Sequence, residues 1–458
     1  MKILLCALPF PDLGDPASSA HSRACPNLAI YLLAAVAEEA GHQVRVVDPL
    51  DFEAAFDPDR GLKETISNVD VLGISVNSCT WPRAKRLLSE LENLKTRPVT
   101  VLGGPHASLF DEHILAVSPA DYVIRGEGER ALIALLERLS RGLDGEGVPG
   151  LTRRQGAAVQ RNTMPPLLTP EELSALPLPR LDLMPSGYYE LMPIETSRGC
   201  HHACIFCSVT YRRNWRGMPA PIVRDRLERM SAHLAKTNRK SFFIIDDCFT
   251  GDRGRLKEIA GLVRGFPHRF VFECRIPDVI APGIMDAISA LPLLVMEMGV
   301  ECGYQEGLDR VQKKLRLHEV QQAAAIISER GLGGRARFSF IMGLPWESKK
   351  EIFKTLEFAF KLTGGIGARL AANWLTLFPG SAIWRRREEW GIEMDEADYD
   401  RHGWWADREV FRKCHPRLDM KKDIADIKIY ALMLARLFPA IRHEWWIKDL
   451  LPPSPSGG

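Results

Sequence analysis

Short runs rich in valine, isoleucine and leucine alternate with amphipathic segments along most of this chain, and that rhythm limits its fold more than any other feature. In the first part the apolar runs are Lys2 to Leu8, Gln43 to Asp48, Val69 to Val76, Val99 to Gly104 and Tyr122 to Arg125. Helical patterns such as Asn27 to Ala40 and Arg83 to Leu94 lie between them. Such runs separated by helices imply βαβ units and a parallel sheet covered on both faces. The expectation is an α/β domain with a doubly wound, Rossmann-like sheet, which takes ligands beyond the carboxyl ends of its strands. Those ends carry Ser75, Asn77 and Ser78, then Gly103, Gly104 and His106, then Gly126 and Glu127. Glycine there lets a ligand approach the backbone closely.

Residues 142–186 are rich in Pro and Gly, with Pro165, Pro166, Pro177, Pro179 and Pro185, and are expected to connect two domains. From Met192 the alternation resumes with strand candidates Pro193 to Thr196, Ser241 to Asp246, Arg269 to Cys274, Leu294 to Val300, Arg337 to Met342 and Leu370 to Leu377. Six strand–helix units of this kind suit a partial TIM barrel, (β/α)6, whose active site gathers at the carboxyl ends of the strands. After Pro379 the pattern turns irregular and aromatic, with Trp384, Trp390, Trp404, Trp405, Trp445 and Trp446, and helical periodicity returns over Asp423 to Leu437. This end reads either as a small helical cap over the barrel mouth or as packing on the barrel wall. The expected division is 1–141, 142–186, 187–381 and 382–458, with Pro452 to Gly458 disordered.

Composition narrows the function classes. The 458 residues are 46% hydrophobic and 26% charged, with a net charge of +2, which is ordinary for a globular protein and gives no bulk attraction for nucleic acid. The apolar start is followed at once by Pro9, Pro11 and Asp12, so it reads as a first strand and not a signal peptide. Leu28 to Ala37, the longest helix-like apolar run, is too short to span a bilayer. Ten cysteines without an export signal point to a reducing, cytoplasmic location and to metal chemistry over disulfides.

Three of those cysteines sit in the run Cys200-His201-His202-Ala203-Cys204-Ile205-Phe206-Cys207. Three thiolates at that spacing suit three irons of a 4Fe-4S cluster and leave the fourth iron open to a small molecule. A zinc knuckle completed by His201 or His202 is a second reading, and buried unligated cysteine a third. The spacing, with aromatic Phe206 directly before the third Cys, resembles the CxxxCxxC signature of the radical S-adenosylmethionine (radical SAM) superfamily. That resemblance implies that Cys200, Cys204 and Cys207 are the catalytic metal ligands and that the open iron takes the amino and carboxylate groups of SAM.

Further matches follow in the family's order. Asp246 and Asp247 resemble an acidic patch near the SAM methionyl group. Gly299-Val300-Glu301-Cys302-Gly303 resembles a segment whose carboxylate accepts from the SAM ribose. Gly343 lies in a stretch, Phe340 to Glu347, similar to a turn by the adenine, and Pro379 in Phe378-Pro379-Gly380-Ser381 completes the set. Arg198 and Arg275 flank the same rim, as SAM carboxylate binders or as surface ion pairs. Cys248, Cys274 and Cys302 also fall at strand ends, where packing is the favoured role.

The segment Val99 to Ser108, followed by Arg125 to Glu129, resembles the cobalamin-binding domain that precedes the radical SAM domain in one large subfamily. The resemblance places cobalamin against Ser75, Asn77, Ser78, Gly103, Gly104, His106, Gly126 and Glu127; the alternative is a flavodoxin-like domain without that cofactor. The DxHxxG motif that supplies a lower cobalt ligand in some cobalamin enzymes is absent, since His21 is followed by Arg23 and Ala24 where that pattern does not fit. The function so implied is a C-methyltransferase that moves a methyl group from SAM, via methylcobalamin, to an unactivated carbon of a small-molecule, lipid or peptide substrate. Its electrons would come from a flavodoxin- or ferredoxin-type reductant. A cobalamin-dependent cyclase or rearrangement enzyme is an alternative. So is a methylthiotransferase with a second cluster on Cys6, Cys25 and Cys79, and so is a zinc-stabilised binding protein.

Overall fold

In the computed structural model, residues 1–10, 25–57, 61–156, 158–185, 189–234, 241–439 and 441 are described. His21, Arg23, Ala24, Trp445, Trp446 and the tail Pro452 to Gly458 lie outside them. The chain divides into two units, residues 1–192 with 229–239 and 395–404, and the remainder.

The first unit is built on β1 (Lys2–Ala7), β2 (Gln43–Val47), β3 (Val71–Ser75), β4 (Val99–Gly103), β5 (Tyr122–Ile124), β6 (Leu151–Gln155) and β7 (Ala158–Arg161), in the order β2-β1-β3-β4-β5-β6-β7. The pairings β1–β2, β1–β3, β3–β4 and β4–β5 are parallel. Leu4, Leu72, Leu102 and Val123 are wholly buried, as central strands covered on both faces require. Helix Leu28–Glu39 starts where Asn27 accepts the Ala29 N–H, and turns Ile30, Tyr31, Ala34 and Ala37 inward.

The stretch expected to be a connection extends this sheet instead, because β6 pairs antiparallel with β5 and β7 with β6. Its cluster of prolines starts at Pro165, after β7, so both strands keep their ladder donors. Asp395 to Trp404, expected in the C-terminal cap, also belongs to this unit. Asp400 accepts from Trp81 Nε1 at 2.5 Å and Lys85 Nζ at 2.9 Å, and Trp404 Nε1 donates to the Ser78 carbonyl at 3.0 Å.

The remaining strands are β8 (Leu191–Ile194), at the start of the second unit's sheet, a short antiparallel pair β9 (Ser197–Arg198) and β10 (Arg216–Gly217), then β11 (Ser241–Ile244), β12 (Arg269–Cys274), β13 (Leu293–Glu301), β14 (Ala336–Met342) and β15 (Arg369–Trp374). The boundary between the units falls within β8, after Met192. The second unit's main sheet runs β8-β11-β12-β13-β14-β15, so spatial order follows chain order and each crossover advances one strand. That is a partial (β/α)6 barrel, as expected. One face of β12 to β15 packs Phe272, Met296, Met298, Phe338, Phe340 and Leu370 out of solvent. The other face carries charge, for Glu273, Glu297, Arg337 and Arg369 stand side by side across four strands.

Helix Lys422–Leu437 lies on the barrel wall against helix Lys349–Ile366, with Tyr430 4.4 Å from Phe353 between ring centres and Lys349 bound to Asp423 and Asp426. The stretch before it turns to the strand ends: His415 Nδ1 donates to Gly343 O at 2.6 Å, and Arg417 donates to Trp346 O at 3.1 Å. Wall packing and mouth covering thus fall to different parts of the C-terminal segment. Among the described residues no helix is long and apolar enough to cross a membrane.

Candidate active site

The β9–β10 pair brackets the three-cysteine loop and fixes it at the carboxyl end of β8. Within the loop, Cys207 N donates to Cys204 O, Cys200 N to Tyr211 O, and Arg213 N to Cys200 O at 2.6 Å. Two longer-range bonds anchor its middle: Ile205 N donates to Val311 O at 3.1 Å, and Ile383 N to Ile205 O at 3.0 Å. All three cysteines are free and half-buried. Val209 N–H points at Cys207 Sγ, 3.4 Å away. A hydrogen bond from Cys248 lowers the Cys200 thiol's pKa, whereas burial pushes the Cys207 thiol up to about 11.

Both loop histidines have other partners. His201 stacks on Trp215 with ring centres 5.1 Å apart, and the Arg275 guanidinium lies 2.9 Å and 2.5 Å from the two ring nitrogens of His202. Burial and that cation bring His202 down to about 4. Among the described residues no three His, Cys, Asp or Glu side chains converge on a single-ion site. A cubane does not ask them to, since each thiolate takes a different iron.

Around this loop, several residues expected to touch SAM turn out to hold the protein. Asp246 is 2% exposed and accepts from Thr196 N at 2.7 Å, Thr196 Oγ1 at 2.5 Å and Ser197 Oγ at 2.6 Å. Buried Arg255 donates to the Thr196 carbonyl and hydroxyl, both at 2.7 Å, and to Met218 O. Asp246 therefore fixes the approach to the loop and presents no free oxygen. Asp247 accepts from Gly199 N at 3.1 Å and keeps solvent access. Arg198 forms an ion pair with Glu195, and Arg275 also donates to Lys313 O.

Glu301 is 5% exposed, has φ +77°, and pairs with Lys313 at 2.6 Å. The β13–β14 register slips there, which turns its side chain out of the strand's alternation. Gly343 and Pro379 are buried, and Arg212 donates to the carbonyl of Gly380, tying this last segment to the loop. Next to Gly343, His415 Nε2 and Trp374 Nε1 are buried nitrogens without a partner. Phe206 is half-buried with Lys313 Nζ 5.8 Å from its ring centre. Cys274 and Cys302 pack in the core, as favoured, while Cys248 reaches Cys200.

Glu347 closes the turn after β14 by accepting from Leu344 N at 2.9 Å and Tyr304 Oη at 2.8 Å. Burial raises its carboxyl to about 7, above the unfolded value of 4.5. Between those values the folded chain binds a proton that the unfolded chain does not, so stability falls as pH rises through them, by about 3 kcal/mol in full. Urea unfolding of the wild type is expected to weaken from pH 5 to pH 8, and Glu347→Gln to flatten that slope; equal slopes in the two proteins rule the assignment out.

In the first unit, the expected ligand-facing positions divide. Ser75 accepts from Asn27, Asn77 accepts from Cys79 N and Thr80 N, and Glu127 accepts from Leu168 N, so Asn77 stabilises its own turn while Ser75 and Glu127 hold neighbouring segments. His106 is fully buried among Trp81, Phe110 and Tyr399, with Nδ1 on Ser78 Oγ at 3.1 Å and Nε2 unpartnered. Gly104 adopts φ +100°, and a Cβ there would sit 2.6 Å from Val76 O, so close approach to β3 is what demands glycine. Gly103 and Gly126 are half-buried, and a Cβ on Gly103 would meet nothing nearer than 4.0 Å. Cys6 is sealed inside β1, where burial pushes its thiol up, which disfavours it as a cluster ligand.

No local pattern along the chain marks Lys313, Arg255 or His415. Lys313 lies in the run Gln312-Lys313-Lys314, which reads as a solvated charge pair until Glu301 is brought beside it.

Comparison with known proteins agrees with this division of labour. Residues 22–136 match the B12 binding domain family and residues 194–359 the radical SAM superfamily. An uncharacterized methyltransferase of Pyrococcus horikoshii is 26% identical over 394 residues, covering 84% of this chain and 83% of its own. The anaerobic magnesium-protoporphyrin IX monomethyl ester cyclase of Rubrivivax gelatinosus is 25% identical over 360 residues, covering 74% of this chain, which spans 62% of that protein. The radical SAM methyltransferase TsrM of Kitasatospora setae, solved with cobalamin and a [4Fe-4S] cluster, superimposes with a TM-score of 0.66 at 18% identity over 86% of this chain and 79% of its own. With a B12-binding domain followed by a radical SAM domain, the chain belongs to the cobalamin-dependent radical SAM enzymes.

Proposed function

We propose that this enzyme is a C-methyltransferase that transfers a methyl group from SAM to an unactivated carbon of a small-molecule, lipid or peptide substrate. The observation that carries the reading is the three-thiol loop at the carboxyl end of β8, in a chain that also holds a B12-binding domain. Similarity to a methyltransferase over most of both chains supports it. When bound, the cluster supplies one electron to split SAM into a 5′-deoxyadenosyl radical, and cobalamin supplies a methyl group that a carbon radical can accept.

The residues present suit these groups. Cys200, Cys204 and Cys207 are free thiols on a backbone already fixed by main-chain bonds. Phe206, Asp247, Glu301, Gly343 and Pro379 are proposed to line the SAM position. The unpartnered nitrogens of His415 and Trp374 beside Gly343 offer hydrogen bonds suited to a purine edge. His415 donates through Nδ1, so its Nε2 is an acceptor, while the Trp374 indole N–H is a donor. In the first unit, Gly103, where a Cβ would meet nothing nearer than 4.0 Å, and the half-buried Gly126 are proposed to face a large flat ligand such as cobalamin, with Ser75, Asn77, Ser78, Gly104, His106 and Glu127 shaping the loops around it. A flavodoxin- or ferredoxin-type protein is proposed as electron donor.

The test is metal content after anaerobic purification from cells supplied with cobalamin, followed by incubation with SAM and a chemical reductant. About four iron and one cobalt per chain, with 5′-deoxyadenosine and S-adenosylhomocysteine both formed, are expected. Deoxyadenosine without S-adenosylhomocysteine would shift the reading to a cyclase or rearrangement. About eight iron would shift it to a methylthiotransferase, and zinc alone would end the enzyme reading.

A further inference from the structure

Three strained residues meet around one buried ion pair. The non-glycine residues with positive φ among those described are Asn68, Arg213, Glu301, Gln312 and Lys314. Glu301 is half of the Glu301–Lys313 pair, and Gln312 and Lys314 flank the other half at φ +55° and +53°. A fourth, Arg213, donates its N–H to Cys200 O within the cysteine loop. Left-handed backbone costs a side-chain-bearing residue about 1–2 kcal/mol and persists only where surrounding contacts enforce it, which in many proteins is a functional site. A buried ion pair is itself a weak source of stability, because desolvation consumes most of the attraction.

The turn that carries Lys313 is clasped to the cysteine loop. Val311 O accepts from Ile205 N, and Lys313 O accepts from Arg275 at 2.5 Å, whose guanidinium also lies on His202. Lys313 is 9% exposed, and its side chain runs toward the Phe206 ring and lies within electrostatic reach of Cys204. Gly299 makes room for it, since a Cβ there would fall 2.2 Å from Glu301 Oε1 and 2.8 Å from Lys313 Nζ. Arg275 and the carboxyl of Glu273, itself beside Glu297 and Asp247, lie within electrostatic reach of this pair.

We propose that Lys313 is the positioning residue of this site: its ammonium aims the Glu301 carboxylate and sets a fixed positive charge against the cysteine loop, raising the reduction potential of the cluster held there. The proposal rests on the reading of that loop as a cluster site. A nearby cation favours the more negative, reduced form of a cluster, more so where water is excluded. A methionine of similar length would fill the same space without the desolvation cost, so packing alone does not account for a lysine here.

Lys313→Met, Lys313→Arg and Glu301→Gln are to be reconstituted with iron and sulfide. The midpoint potential is then read by EPR-monitored redox titration, and S-adenosylhomocysteine binding by equilibrium dialysis. Lys313→Met is expected to lower the potential and weaken binding about tenfold, a loss the size of one charge-assisted hydrogen bond. Lys313→Arg is expected to restore most of the potential. Glu301→Gln keeps the ammonium and removes its counter-charge, so binding should weaken while the potential rises. A purely structural pair would move both single variants in the same direction, and that result overturns the proposal, as does wild-type potential and affinity in Lys313→Met. If Lys313→Met takes up no cluster, the sign of the shift in Glu301→Gln decides. Wild-type protein that assembles no cluster would instead sink the functional reading on which this inference stands.

Discussion

Cys204→Ala is expected to abolish SAM cleavage, with a loss on the order of 10³-fold or more in 5′-deoxyadenosine formation, while cobalt content stays at the wild-type level. The size of the effect follows from how the loop is held. The bonds that fix it run through main-chain atoms, Ile205 to Val311, Ile383 to Ile205 and Arg213 to Cys200, and none uses the Cys204 thiol. Removing a half-buried sulfur from such a frame leaves the fold nearly untouched, with an expected stability change under about 1 kcal/mol. It does remove one of the three proposed iron ligands, and nothing adjacent replaces it, since His201 is stacked on Trp215 and His202 lies under Arg275. Iron and sulfide analysis, deoxyadenosine quantified by mass spectrometry and a urea melt separate the two effects. Cleavage at the wild-type rate would sink the cluster assignment, and a melt lowered by several kcal/mol would show that the loop frame needs the sulfur.

Asp246→Ala is expected to act in the opposite way, through stability first. Three donors end on its carboxylate, from Thr196 N, Thr196 Oγ1 and Ser197 Oγ, and its charge offsets that of Arg255, which is 7% exposed. Taking one member from such a buried set leaves the guanidinium with only the weaker counter-charge of Asp252 and leaves hydroxyls unpaired, a cost of about 3–5 kcal/mol. Thr196 and Ser197 lead directly into the strand that brackets the cysteine loop, so iron loading should drop together with stability. Asp246→Asn keeps the shape and should lose less. A carboxylate whose role is to touch SAM would show normal stability and normal iron with weakened SAM binding, and that pattern in Asp246→Ala would refute the structural assignment.

Strand and helix positions were legible because apolar periodicity directly reflects which side of an element is buried. The expected Arg269 to Cys274 coincides with β12, and the helix over Asp423 to Leu437 differs by one residue from Lys422–Leu437. The cysteine loop was legible because its three thiols lie within one short segment, at a spacing that is itself a pattern along the chain. The strands β6 and β7 were missed because prolines elsewhere in residues 142–186 coloured the whole stretch, although none falls inside either strand.

Acidic residues at strand ends were found at the right places, but their roles were not assignable from order alone. Asp246 and Asp247 are adjacent, yet one faces a buried arginine and hydroxyls and the other keeps solvent access. Which of them turns inward depends on Thr196, fifty positions away.

From its amino-acid order, then, this protein's two α/β units and the three-thiol loop proposed to hold its cluster follow, because burial periodicity and ligand spacing are local properties. Only the folded chain decided that Asp246 holds the frame, that Glu301 meets Lys313, and that Asp395 to Trp404 returns to the first unit, where Asp400 reaches Trp81 across 319 positions. Such pairings arise when chain closure brings distant charges and donors into the same low-dielectric volume, and no pattern along the sequence encodes that meeting.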